Sequence, residues 1–147
     1  MRFSIPQLQV SLSGLGLLCV LAFLAMLSTG CGSGSDLPPL GKVTGVVMLD
    51  GKPLADADVT FQPEAEGRAS VGTTDSQGRY ELVYLNDVEG AITGPNRVLI
   101  TTFRDAPDDG STPEVPEKLP ARYHSESTVK VDVVEGSNTF DFDLETK

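Results

Sequence analysis

From Lys42 onward, apolar side chains recur at every second position in short runs, and turn-forming residues close each run. A period of two puts successive side chains on opposite faces of an extended backbone, so each run offers one apolar face and suits a strand rather than a helix. Val43, Gly45, Val47 and Leu49 form the first such face, and Asp50-Gly51 follows as a hairpin signal because glycine tolerates positive φ. Ala57, Val59 and Phe61 form the second, ended by Pro63, and Ala69, Val71 and Thr73 form a third. Thr74-Asp75-Ser76-Gln77-Gly78 reads as a tight turn before Tyr80, Leu82 and Tyr84. Val98, Ile100 and Thr102 alternate with Leu99, Thr101 and Phe103 in the strongest central strand. Val129, Val131 and Val133 give another. Glu135-Gly136-Ser137-Asn138 reads as a turn, and Phe140, Phe142 and Leu144 give the last strand, with Asp141, Asp143 and Glu145 toward water. Residues 86–96 read as a loop, and residues 104–122 as a long excursion carrying five acids and four prolines. Proline removes a ladder donor, so the excursion is no central strand. Seven short strands, turn signals at roughly 8–12-residue spacing and no helical pattern predict an all-β, seven-stranded sandwich.

The N-terminal segment obeys other rules. Arg2 is the one charged side chain before an uncharged stretch, residues 11–29, whose centre is almost wholly Leu, Val, Ala, Phe and Met. A basic start, a short apolar core and a small-residue exit describe a secretory signal. Leu27-Ser28-Thr29-Gly30-Cys31-Gly32 resembles the lipobox of bacterial lipoproteins, with Ser28 at the place usually held by Leu. That resemblance implies cleavage before Cys31 and lipidation of its thiol. The alternative is an uncleaved membrane helix over residues 11–29, just long enough for a ~30 Å hydrocarbon core. The expected organisation is a signal peptide at 1–30, a Gly/Ser/Pro tether at 31–41 and one β-domain at 42–147. On the lipoprotein reading the chain is anchored to a membrane of the cell envelope, with the domain facing the periplasm or the exterior. Gly32 after the cysteine, where Asp commonly marks inner-membrane retention, favours the outer membrane.

Cleavage would remove Cys19 and leave Cys31 alone, so no disulfide framework supports the fold. It would also remove Arg2, taking the formal charge from −10 for the whole chain to −11. Acids scattered over the domain repel phosphate backbones, which excludes nucleic acid as an expected partner and disfavours polybasic docking on lipid.

Chemistry-bearing residues are sparse. His124 is the only histidine, so a zinc site of three or four His and Cys ligands has no members. Ser125 and Ser127 flank it in Tyr-His-Ser-Glu-Ser without a nucleophile elbow. Asp108-Asp109 matches no calcium-loop spacing, and no Gly-rich phosphate loop is present. The expectation is a non-enzyme with no metal and no cofactor. Tyr84 and Tyr123 are the candidate ligand residues, beside the loops 86–96 and 104–122, for a polysaccharide or a small envelope solute. Lys42 at the opening of the first strand and Asn138 at the opening of the last, with Glu81 as the acid, resemble the isopeptide-forming set of some surface-adhesin sandwiches, which implies a candidate Lys–Asn cross-link.

Gly45-Val46-Val47-Met48-Leu49-Asp50-Gly51-Lys52-Pro53-Leu54, with Ala57-Asp58-Val59-Thr60-Phe61-Gln62-Pro63, resembles the carboxypeptidase regulatory-like domain. Thr74-Asp75-Ser76-Gln77-Gly78-Arg79-Tyr80 looks like that family's second signature, and Gly90-Ala91-Ile92-Thr93-Gly94 is similar to its third. Residues 119–123 and 138–144 are similar to the ending of short planctomycete lipoproteins of this type. The resemblance implies a transthyretin-like (prealbumin-like) sandwich with Greek-key connections. It also implies a non-catalytic folding, spacing or binding module that would act in the envelope as a structural element or a protein-interaction partner. The purine-pathway hydrolases of that fold use several histidines and a C-terminal Tyr-Arg-Gly-Ser. Leu144-Glu145-Thr146-Lys147 has none of these.

Overall fold

A computed structural model describes residues 37–108, 110 and 112–147. The signal peptide, Cys31 and most of the tether lie outside the described residues. The domain is an all-β sandwich. Its strands are β1 (Leu40–Leu49), β2 (Lys52–Pro53), β3 (Asp58–Pro63), β4 (Ser70–Thr73), β5 (Arg79–Glu81), β6 (Val83–Leu85), β7 (Val88–Glu89), β8 (Ala91–Ile92), β9 (Gly94–Thr101), β10 (Lys130–Val133), β11 (Gly136–Thr139) and β12 (Phe142–Leu144). Among the described residues, a 3-10 turn at Ala121–Tyr123 interrupts the pattern.

β1 is the spine of the first sheet. It pairs antiparallel with β2, β5 and β8, and parallel with β11 and β12. The second sheet runs β10-β9-β3-β4-β6-β7, antiparallel throughout. All seven expected runs are there; one of them divides into β5 and β6 as it changes sheet, and β2, β7, β8 and β11 form in segments between the expected strands. Leu82 is that corner: β5 belongs to the first sheet, β6 to the second, and the Leu82 side chain between them is fully buried.

Alternation works as the sequence indicates on most strands. Val43 and Val47 of β1, Val59 and Phe61 of β3, and Val98 and Ile100 of β9 all point inward and are buried. Phe61 meets Phe140 and Phe142 at ring-centroid separations of 5.8 and 6.4 Å, in tilted geometries that favour aromatic pairs. In the first hairpin, Asp50 and Gly51 both take positive φ (49° and 76°), the two-residue turn that matches strand twist.

Three sequence expectations are corrected. In β4 it is Ser70 and Gly72 that face the core, while Val71 is exposed. The backbone at Glu81 leaves no room for a side chain on Gly72, so the glycine sets the face of the strand. Residues 86–96 are not a free loop but β7, β8 and the start of β9, with Ala91, Ile92 and Asn96 buried. The expected turn at 135–138 is largely the strand β11, lying parallel to β1.

Candidate functional site

The two segments expected to share a ligand are at opposite ends of the sandwich. β9 joins them, with residues 86–96 leading into its start and residues 104–122 following its end. Eight extended residues separate them by roughly 25 Å. The first segment sits beside the beginning of β1, where Leu40 pairs with Ile92. The second lies at the other end, where Thr101 pairs with Asp58. No single site draws on both.

Tyr84 and Tyr123 are separated in the same way. Tyr84 is half-buried on β6. Tyr123 packs against the core, and its hydroxyl accepts a hydrogen bond from the Glu145 amide at 3.1 Å. The Arg122 guanidinium covers the Tyr123 ring at 4.8 Å and donates to the carbonyl oxygens of Glu145 and Lys147 at 2.6 Å each. The ring's exposed face is thereby occupied by the chain's own cation.

The excursion is fastened at the far end of the sandwich. Arg104 and Val115 form an isolated antiparallel bridge across its mouth. The Arg104 guanidinium donates to the Asp56 carbonyl at 3.0 Å and lies near the carboxylates of Asp56 and Asp58. Glu117 reaches back to the end of β9. Its carboxylate accepts from the Thr101 hydroxyl, from the Thr102 hydroxyl at 2.7 Å and from the Thr102 amide at 3.1 Å. The amides of Lys118 and Leu119 donate to the same carboxylate at 2.9 Å each. Partial burial pushes the Glu117 pKa up, but the Thr101, Leu119 and Thr102 hydrogen bonds outweigh it and hold the group at about 2. Leu119 then enters the core. A hollow of about 200 Å³ remains between Ala55, Asp56, Thr102, Arg104, Val115 and Lys118, and Phe103 stands exposed beside it. Glu117 carries no local sequence signature: its partners lie in β9, and Pro-Glu-Lys-Leu-Pro has no spacing that announces them.

The other candidates are committed to structure. His124 Nε2 lies 3.1 Å from the Leu119 carbonyl oxygen, and the Ser127 hydroxyl donates to the Val98 carbonyl at 2.5 Å. Among the described residues, no group of three or more His, Cys, Asp or Glu side chains could hold a metal ion. Asp108 is described and Asp109 is not.

Lys42, Glu81 and Asn138 do not converge. The Lys42 ammonium is on the outer face, 2.6 Å from Glu81 and 2.8 Å from Glu89, and hydrogen bonds to both carboxylates hold its pKa above the usual range. Asn138 turns to the interior. Its amide donates to the carbonyls of Lys42 and Val134, and its carbonyl accepts from the Val134 amide. The candidate cross-link therefore lacks facing partners: the two side chains occupy opposite faces of neighbouring strands.

No family model matches the chain, and no curated protein matches it. Among the solved structures that overlap with it are two proteins of known source. A DUF3823 family protein from Parabacteroides merdae is 15% identical, with 76% of this chain and 47% of that chain covered and a TM-score of 0.42. A 9R-lipoxygenase from Cyanothece is 17% identical, with 89% and 20% covered and a TM-score of 0.39. The chain thus spans about half of the first protein and a fifth of the second.

Proposed function

We propose that this chain is a lipid-anchored, non-catalytic β-sandwich of the cell envelope, of the carboxypeptidase regulatory-like kind. On this reading Cys31 carries the lipid in the outer membrane, and the domain serves as a structural or protein-interaction module. One observation carries the interaction role: the chain enters β1 at one end of the sandwich, and the excursion is fastened at the other. The end fastened by the excursion is the end of the domain remote from where the chain joins β1. Loops positioned by a rigid scaffold are where binding residues concentrate, and Phe103 and Lys118 are exposed there. The same geometry weighs against a polysaccharide or solute site shared by residues 86–96 and 104–122.

Intact mass of the membrane fraction tests the anchor. The expected wild-type species begins at Cys31 and carries diacylglycerol, and Cys31→Ala lacks the modification. A full-length, unlipidated wild type would make residues 11–29 an uncleaved span and end the lipoprotein reading. A photo-reactive residue at position 103 tests the interaction surface. Cross-links to a defined envelope protein from position 103, and not from position 87, are expected. Equal labelling from both positions would remove the assignment to the excursion end.

A further inference from the structure

The outer face of the second sheet is patterned in rows across the strands. Register fixes the rows, because residues opposite one another in an antiparallel pair put their side chains on the same face. Leu99, Thr60, Val71 and Val83 are successive partners across β9, β3, β4 and β6, and Val71 and Val83 are 45% and 36% exposed. One row toward the start of β9 lie Lys130, Arg97 and Gln62. One row the other way lie Thr101, Asp58 and Thr73. Along the strand direction the face thus carries two cations, Lys130 and Arg97, on one side of the Leu99-Thr60-Val71-Val83 row, which meets Glu89 on β7, and one carboxylate, Asp58, on the other, in a chain whose formal net charge is −10.

We propose that this face is the contact surface of a symmetric dimer formed with a second copy of this chain. The occupant is argued from charge complementarity. A two-fold axis along the Leu99-Thr60-Val71-Val83 row stacks that row on itself and reverses the strand direction of the partner. It brings the basic row of each copy over the acidic row of the other, so every favourable contact occurs twice, as an isologous interface requires. Arg97, now bonded to Gln62 at 2.7 Å, has the reach to meet Asp58 of the second copy. Lys130 is paired with Glu64 in its own chain, and Asp58 with Thr73 and Arg104, so these charges are held in place before contact. Five strands at ~4.8 Å spacing and three rows at ~6.6 Å give about 500 Å² per copy, the low end for a specific interface. The dimer is therefore a weak one, dissociating at micromolar concentration.

Sedimentation equilibrium of the full chain in density-matched detergent, from about 1 to 300 µM, tests this. The wild type is expected to pass from monomer to dimer across that range. Val71→Glu is expected to raise the dissociation constant about tenfold or more with an unchanged circular dichroism spectrum. Arg97→Glu should do the same, and Arg97→Glu combined with Asp58→Arg should restore association, because each swapped charge again meets its opposite. The double variant keeps the test decisive if Val71→Glu misfolds. A wild type that stays monomeric throughout, including one whose face is claimed by a different protein, overturns the proposal. So does a dimer indifferent to Val71→Glu and to the charge swap.

Discussion

Gly45 illustrates how a single residue constrains the fold. It faces inward at the middle of β1, and a Cβ built there would stand 1.8 Å from the Phe140 carbonyl oxygen and 2.9 Å from the Tyr80 ring. That carbonyl has a second commitment: the Tyr80 hydroxyl donates to it at 2.8 Å. The absent side chain at position 45 thus lets the interruption between β11 and β12 sit against β1, where Tyr80 satisfies it. Asp141 completes the repair. Its carboxylate accepts the Val46 amide at 2.8 Å, standing in for the backbone carbonyl that an unbroken ladder would supply. Register is the same on both sides of the break, with Thr44 opposite Thr139 and Val47 opposite Phe142. Gly45→Ala should therefore cost about 3 kcal/mol, since the nearest atoms are backbone and cannot swing aside. Tyr80→Phe keeps the ring and leaves the Phe140 carbonyl short of a donor, for a loss of about 1–2 kcal/mol. Urea unfolding of both variants would measure the costs, and a Gly45→Ala midpoint equal to wild type would contradict this account.

Among the elements, the strands that bury one face are the ones the sequence makes legible. β1, β3 and β9 alternate strictly and are rich in β-branched residues, so period and propensity agree. β11 is the opposite case. Gly136-Ser137-Asn138-Thr139 has turn chemistry and no apolar face. It is held by parallel pairing to β1 and by the Asn138 side chain, neither of which has a local signature. The excursion was legible as irregular, from its prolines, but not as fastened. Glu117 is that fastening, and its carboxyl is well below its usual value of 4.5 in the folded state. A depressed carboxyl stabilises the fold above its unfolded pKa, and that contribution fades as the pH falls from about 4.5 toward about 2. Wild-type stability is expected to decline through this window, and Glu117→Gln to show a shallower decline from a lower starting value. Thermal melts at intervals from pH 6 to pH 2.5 would check it, and parallel curves for the two proteins would rule out Glu117 as the titrating latch. Hydrogen exchange at the Lys118 and Leu119 amides should accelerate in the variant, because both donate to this carboxylate.

At the scale of the molecule, the first and last long elements lie side by side and run the same way. Parallel pairing of β1 with β11 and β12 closes a loop through nearly the whole domain, and no hairpin can nucleate it. Formation of this edge requires the chain between to be largely in place, so folding should fall in the slow range of milliseconds to seconds. The same pairing makes the C-terminal residues part of the core. Leu144 is buried, and Phe140 and Phe142 pack on the cluster that includes Phe61 and Tyr80. Losing even one such side chain costs roughly 2–5 kcal/mol, against a total stability of about 5–15 kcal/mol for a domain of ordinary size. A chain stopped after Val134 loses all three and leaves one edge of β1 without a partner. It should show no cooperative thermal transition and a collapsed amide proton spectrum, whereas the full chain gives a dispersed one. A dispersed spectrum from the truncated chain would mean that β1 is held by β2, β5 and β8 alone, and that the last strand is an accessory to the sandwich rather than one of its walls.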